Sequence, residues 1–172
     1  MRLLFELKDK GCDDFSNKTF RPSARAIIIQ NKKVYMVHGV LYDYYKFPGG
    51  GIEPDESIID ALIRETEEEA GLEVMSDSVK EYGCVHREQR YGGAKDTIFV
   101  QDNYYFFCKV KRRRLPQRLE DYEMTEKFTL ELVEPLRAID VNRNKDHGPK
   151  SQQMTEREAR VLELLLEEGY FD

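Results

Sequence analysis

The sequence predicts a mixed α/β or α+β fold, and three features carry that reading. Strand-like apolar runs recur along the chain, two amphipathic helices announce themselves by periodicity and caps, and polar turn-rich segments separate them. A length of 172 residues suits one domain over residues 1–172, able to bury most of its surface without a disulfide or metal staple. Hydrophobic residues at 40% and charged residues at 35% describe a globular chain with a strongly solvated surface.

Residues 1–22 read as an N-terminal extension, with Asp9–Arg21 a polar connection ahead of a core over 23–140. Ala26–Ile29 and Val34–Val37 flank Asn31-Lys32-Lys33, which predicts a hairpin. The aromatic run Tyr42–Phe47 stops at Pro48-Gly49-Gly50-Gly51, a loop signal. A helix follows over Glu56–Ala70, with Asp55 as N-cap and Gly71 just past its end. Further strands are expected at Val79–Val85, Asn103–Val110 and Phe128–Val133. Lys111–Lys127 reads as a long charged loop, Pro135–Val141 as a short helix, and Asn142–Lys150 as another loop. The last helix spans 154–169: Thr155 and Glu158 make a capping box, Met154 and Ala159 a staple, and Gly169 the stop.

Composition excludes several classes of function. A net charge of −6 argues against a general nucleic-acid or membrane-surface binder. No run approaches the ~20 apolar residues of a membrane span, and Met1–Leu7 is too short and charged for a secretory leader. A cytoplasmic protein with no membrane and no nucleic-acid partner is expected. Cys12, Cys84 and Cys108 form no CxxC pair and read as reduced structural thiols. An acidic protein that handles phosphate needs a local cation, either a metal ion or a basic pocket.

At ~100° per residue, Ile59, Leu62, Ile63, Thr66 and Ala70 share one face of the first helix. Glu65, Glu68 and Glu69 stand at i, i+3 and i+4 on another. A solvated Glu-rich face is the ordinary explanation of such a string. Clustered carboxylates are also what a hard divalent ion requires.

The neighbouring residues decide. Gly50–Leu72 resembles the Nudix box of the MutT-like hydrolases, Gly-x5-Glu-x7-Arg-Glu-U-x-Glu-Glu-x-Gly-U, with U a bulky aliphatic residue. Gly50, Glu56, Arg64, Glu65, Glu68, Glu69 and Gly71 hold its fixed positions and Leu72 its final U. Chance agreement in a given register is on the order of 10⁻⁸ at average residue frequencies. Thr66 departs from the pattern, standing where an aliphatic residue is usual.

The resemblance implies an α/β/α sandwich with a mixed sheet and the box as loop–helix–loop. It implies Mg²⁺-dependent hydrolysis, with Mn²⁺ as substitute, of a nucleoside diphosphate linked to another group. That group would be a nucleotide, a sugar or an ADP-ribose-type moiety. Glu65, Glu68 and Glu69 would be metal ligands, helped by the carbonyl of Gly49 or Gly50. Arg64 would hold a carboxylate in place, and Glu56 would support the ligands from behind. The general base is open among Glu65, Glu68, Glu120, Glu123 and Glu126.

Tyr45 in the aromatic run, and Arg87 and Tyr91 after the box, are the candidates for substrate contact. Subfamily markers do not choose a substrate. The proline of ADP-ribose hydrolases is Arg87 here, and Tyr91 falls one place beyond the dinucleoside-polyphosphate window. The competing readings are a Nudix-fold sensor that binds without cleaving, a hydrolase of non-nucleotide diphosphates, and a structural protein that uses its acidic helix for partners. A homodimer is the protein assembly allowed for.

Overall fold

The computed structural model describes residues 1–90 and 96–172. In chain order the first strands are β1 (Leu3–Lys8), β2 (Asn17–Phe20), β3 (Ser23–Ile27), β4 (Ile29–Gln30) and β5 (Lys33–Gly39). Then come β6 (Tyr44–Lys46), β7 (Gly49–Gly51), helix α1 (Ile58–Ala70) and β8 (Leu72–Val74). The long strands β9 (Lys80–Arg90) and β10 (Thr97–Phe107) follow, with β11 (Val110–Arg114) and the short helix α2 (Asp121–Thr125). Strand β12 (Phe128–Val133) and helices α3 (Pro135–Asn144) and α4 (Gln152–Glu167) complete the described chain.

The central sheet is mixed, in the order β1-β9-β10-β3-β7, with β2 also paired to β10. Alternation along its strands divides the core into two layers. Ala24 and Ala26 of β3 and Phe106 of β10 pack with Ala61 and Leu62 of α1. Ile27 and Tyr105, on the opposite face, pack with Ala138 and Ile139 of α3 and Leu162 and Leu165 of α4. Helices therefore cover both faces of a mixed sheet, the α/β/α arrangement expected. A second, antiparallel sheet runs β12-β5-β4, with β6 on β5.

Four expectations need correction. The extension over residues 1–22 is part of the sheet: β1 lies parallel to β9, and β2 lies parallel to β10. Strands β2 and β3 sit end to end along one edge of β10, at Thr97–Val100 and Asn103–Phe107 respectively. The first helix begins at Ile58, because Ser57 rather than Asp55 accepts the Asp60 amide, at 3.0 Å. The charged loop 111–127 contains both β11 and α2.

The fourth correction concerns α4. Glu158 does not cap it: the side chain is fully buried and pairs with Arg157, itself 1% exposed. A buried guanidinium demands a counter-charge, and that demand outweighs a cap; the helix starts after Ser151, whose hydroxyl donates to Gln89 and makes no cap bond. Glu158 also accepts from the Phe47 amide at 3.3 Å, tying α4 to the entry of the glycine strand.

Thr66, the departure from the box pattern, is fully buried, and its hydroxyl has no hydrogen-bond partner among the described residues. An orphaned buried hydroxyl costs about 1–3 kcal/mol, and valine has nearly the same shape. Thr66→Val should therefore raise the thermal midpoint by at least about 2 °C. An unchanged or lowered midpoint in calorimetry would show that the hydroxyl is satisfied in solution.

Candidate active site

A cavity of about 730 Å³ opens where α1, the glycine strand and the N-terminal end of β3 meet. Glu65, Glu68 and Glu69 of α1 line it, as do Gly50 and Gly51. Arg25 of β3 and Lys46 of β6 bring positive charge to the same space. Arg118, Glu120, Tyr122 and Glu123 line it from the segment around α2, and Phe20, Phe99 and Gln101 from β2 and β10.

Arg64 organises the helix side. It forks onto Glu56 with two bonds of 2.8 Å, and reaches Glu65 at 2.7 Å and Glu68 at 3.3 Å. The same guanidinium donates to the Gly51 carbonyl at 3.1 Å. Glu56 precedes the helix, and Arg64 holds its carboxyl below the usual range. Burial raises the Glu65 carboxyl, with Arg64 pulling the other way. Glu69 is 1% exposed; it accepts from Lys46 and from the Gly49 amide at 3.1 Å. Burial pushes its carboxyl up to about 7, against the lowering effect of Lys46 and Arg25.

The glycines set the approach of loop to helix. A Cβ on Gly50 would lie 2.1 Å from Glu65 Oε2, so only glycine lets that carboxylate rest against the strand. Gly49 has φ +130°, and a Cβ there would lie 2.1 Å from the Ala24 carbonyl oxygen. The Gly49 carbonyl itself accepts from Arg25.

Among the described residues, no three His, Cys, Asp or Glu side chains already converge as a metal cluster. The three box carboxylates are instead bonded to Arg64 and Lys46, with Arg118 at 3.6 Å from Glu68. The donor set nevertheless fits a hard divalent ion in kind: carboxylate oxygens on one wall, beside a glycine strand cut back to admit them.

The other expected residues fall out differently. Tyr45 is buried in the core, stacked on His38 and bonded to Glu131 at 2.8 Å, and does not line the cavity. Arg87 is also buried and off the cavity wall, bonded to the side-chain oxygens of Gln89, Gln101 and Gln153. Tyr91 lies outside the described residues. Of the three possible bases after the box, Glu120 and Glu123 reach the cavity, whereas Glu126 is bonded to Tyr44 and Lys150 elsewhere. Phe20, Arg25 and Lys46 were missed. Arg25 and Lys46 are single polar residues inside apolar strands, a signal that was available.

The NUDIX domain model matches residues 19–153. The chain is 40% identical over 73 residues to an RNA pyrophosphohydrolase of Pseudomonas putida, covering 42% of this chain and 45% of that protein. The chain thus spans less than half the length of that curated relative. It is 32% identical over 96 residues to an 8-oxo-dGTP diphosphatase of Buchnera aphidicola, covering 55% of this chain and 69% of that one. A mutator MutT protein from Bacillus halodurans shares the fold, at a TM-score of 0.52 and 15% identity over 83% of this chain and 82% of the other.

The two glycines should respond differently to alanine. Gly49→Ala meets backbone at a strained φ and should cost about 2 kcal/mol or more, lowering the midpoint by roughly 4–8 °C. Gly50→Ala meets only the end of the Glu65 side chain, which can swing away, so its midpoint should stay within about 2 °C of wild type. Equal melting losses in the two variants would contradict this geometry.

Proposed function

We propose, from the premise that the chain belongs to the NUDIX domain family, that it hydrolyses the phosphoanhydride bond of a nucleotide-type diphosphate with a divalent ion. The observation that carries this reading is the cavity, which sets three carboxylates of one helix beside the cations Arg25 and Lys46. Carboxylates alone would repel a polyphosphate, and cations alone would bind it without a means of cleavage.

Glu65, Glu68 and Glu69 are the residues that would hold Mg²⁺ or Mn²⁺. Such an ion supplies neutralising charge and Lewis acidity toward the phosphate oxygens. The rest of the work belongs to the protein. Arg25 and Lys46 offer charge to the phosphates, and Arg64 fixes the directions of Glu65 and Glu68. The proton of the attacking water passes to a cavity carboxylate: Glu65, Glu68, Glu120 or Glu123. Glu126 is set aside by its bonds to Tyr44 and Lys150.

A nucleotide is favoured over other diphosphates by the aromatic rim. Phe20 is 66% exposed yet lines the cavity, so its ring offers a face to a base. The Pseudomonas RNA pyrophosphohydrolase and the Buchnera 8-oxo-dGTP diphosphatase, both named for nucleic-acid or nucleotide phosphoanhydrides, support the same class.

Glu68 gives the cleanest test. Its side chain is 32% exposed, so its loss leaves no deeply buried cation unpaired, whereas Glu69→Gln would strand Lys46. Glu68→Gln should cut turnover at least about 100-fold while the melting midpoint holds, because a ligand charge is lost. The measurement is phosphate and nucleotide release across nucleoside triphosphates, dinucleoside polyphosphates, nucleotide sugars and ADP-ribose, with Mg²⁺ or Mn²⁺. No product from any of them would overturn the proposal, and wild-type rates in Glu68→Gln would remove Glu68 from the site.

A further inference from the structure

Residues 109–118 hold six lysines and arginines and no acid, in a chain whose net charge is −6. Five residues of β11, Val110–Arg114, oppose three of β8, Leu72–Val74. The excess bulges out of the ladder and turns Lys111, Arg112 and Arg113 to solvent, where all three are exposed. Lys111 pairs with Glu73 at 2.5 Å. The side chains of Lys109, Arg112 and Arg113 form no hydrogen bond or ion pair with any described residue. The Arg114 guanidinium sits over Tyr35, 4.8 Å from the ring centroid, and donates to its hydroxyl at 2.9 Å.

Beside this strand is a second cavity, of about 620 Å³. Its floor is apolar, with Ile28, Ile29 and Tyr35, and its rim carries Lys109, Arg112 and Arg114. The two cavities are joined along the chain. After β11 the backbone runs beside the last turn of α1, with Leu115 N donating to Gly71 O at 2.9 Å and Arg118 N to Glu68 O at 2.8 Å. Arg118 then lines the first cavity. The segment that follows the basic strand therefore ends at a further cation, Arg118, beside the carboxylates.

We propose that this basic strand and the cavity beside it bind the phosphodiester backbone of a single-stranded nucleic acid, whose 5′-phosphorylated end occupies the first cavity. The second half of this statement rests on the proposed function; the first half does not. Guanidinium groups close together suit successive phosphates, and the exposed Arg114 guanidinium over Tyr35 suits an unpaired base. A membrane surface would ask for several protruding apolar side chains, whereas here Ile28 and Tyr35 are buried, Ile29 is half-buried, and Met75 alone of the described apolar lining is exposed. The acidic remainder of the surface repels a polyanion and confines it to this path.

The experiment measures fluorescence anisotropy of an end-labelled single-stranded RNA of about twelve nucleotides, from low to moderate salt, with wild type and Arg112→Glu/Arg113→Glu. Neither arginine lines the first cavity. Wild type should bind, and the variant should bind at least about 10-fold more weakly, with the salt slope reduced by roughly 0.7 per lost phosphate contact. Hydrolysis of a free nucleoside triphosphate should change less than about twofold. Arg112→Gln/Arg113→Gln, checked by its melting midpoint, guards against a folding defect of the charge reversal. No binding by wild type at low salt, equal binding by the variants, or binding of phosphatidylserine vesicles in place of RNA would overturn the proposal. If triphosphate hydrolysis is absent while RNA binding is lost in the variants, the proposed function fails and the binding track stands.

Discussion

At one end of the glycine strand the Glu69 carboxylate accepts the Gly49 amide, and at the other Arg64 donates to the Gly51 carbonyl. These two bonds fasten β7 to α1 and set the distance at which Glu65 can lie against Gly50. Both are charge-assisted, and the Glu69 end is nearly excluded from water, where such a bond is strongest. Any residue larger than glycine at position 50 would collide with Glu65, so the fastening and the missing side chain work together. The cavity wall exists because helix and strand cannot separate at either end.

That closeness has an electrostatic consequence. Burial raises both the Glu65 and Glu69 carboxyls, so the site carries charge that its own desolvation disfavours. Arg64 and Lys46 offset part of that cost by bonding to Glu65, Glu68 and Glu69 between them. Hence the helix tolerates Glu65, Glu68 and Glu69 on one face, where like charges at this spacing would otherwise weaken it. The same cations bring positive charge to a cavity in a chain that is acidic as a whole.

The box helix was legible because its periodicity and its fixed spacings are local. The start of α1 was misplaced by two residues because Asp55 and Ser57 are both competent caps, and only the bond to the Asp60 amide separates them. The N-terminal strands were hidden for another reason. Strand β2 is exposed at every position, so it shows no alternation, and β1 pairs with residues some eighty positions away. Tyr45 and Arg87 misled because a sequence displays side-chain chemistry and not facing. Tyr44 and Tyr45 point to opposite layers, and both layers are buried. Phe20 gave little sign of its place, being one aromatic in a polar run.

Arg87 still bears on the site, from beneath it. Arg25, Arg87 and Arg157 are all buried, and among the described residues Glu158 is the only carboxylate bonded to any of them. Amide side chains accept the other bonds of Arg87 and Arg157, and the Gly49 carbonyl accepts from Arg25. Arg87 and Arg157 both donate to Gln101 Oε1, at 3.1 and 3.2 Å. That oxygen is thereby committed, which fixes the orientation of an amide whose two ends are otherwise hard to tell apart. The Gln101 Nε2 group, which donates to no described residue, is left as the end available to the cavity that Gln101 lines. A buried cation pair thus acts at one remove, holding a neutral donor in a fixed direction next to Arg25. Positive charge is costly to bury, and here it is placed beside the cavity of the box carboxylates, where an anionic substrate would repay it.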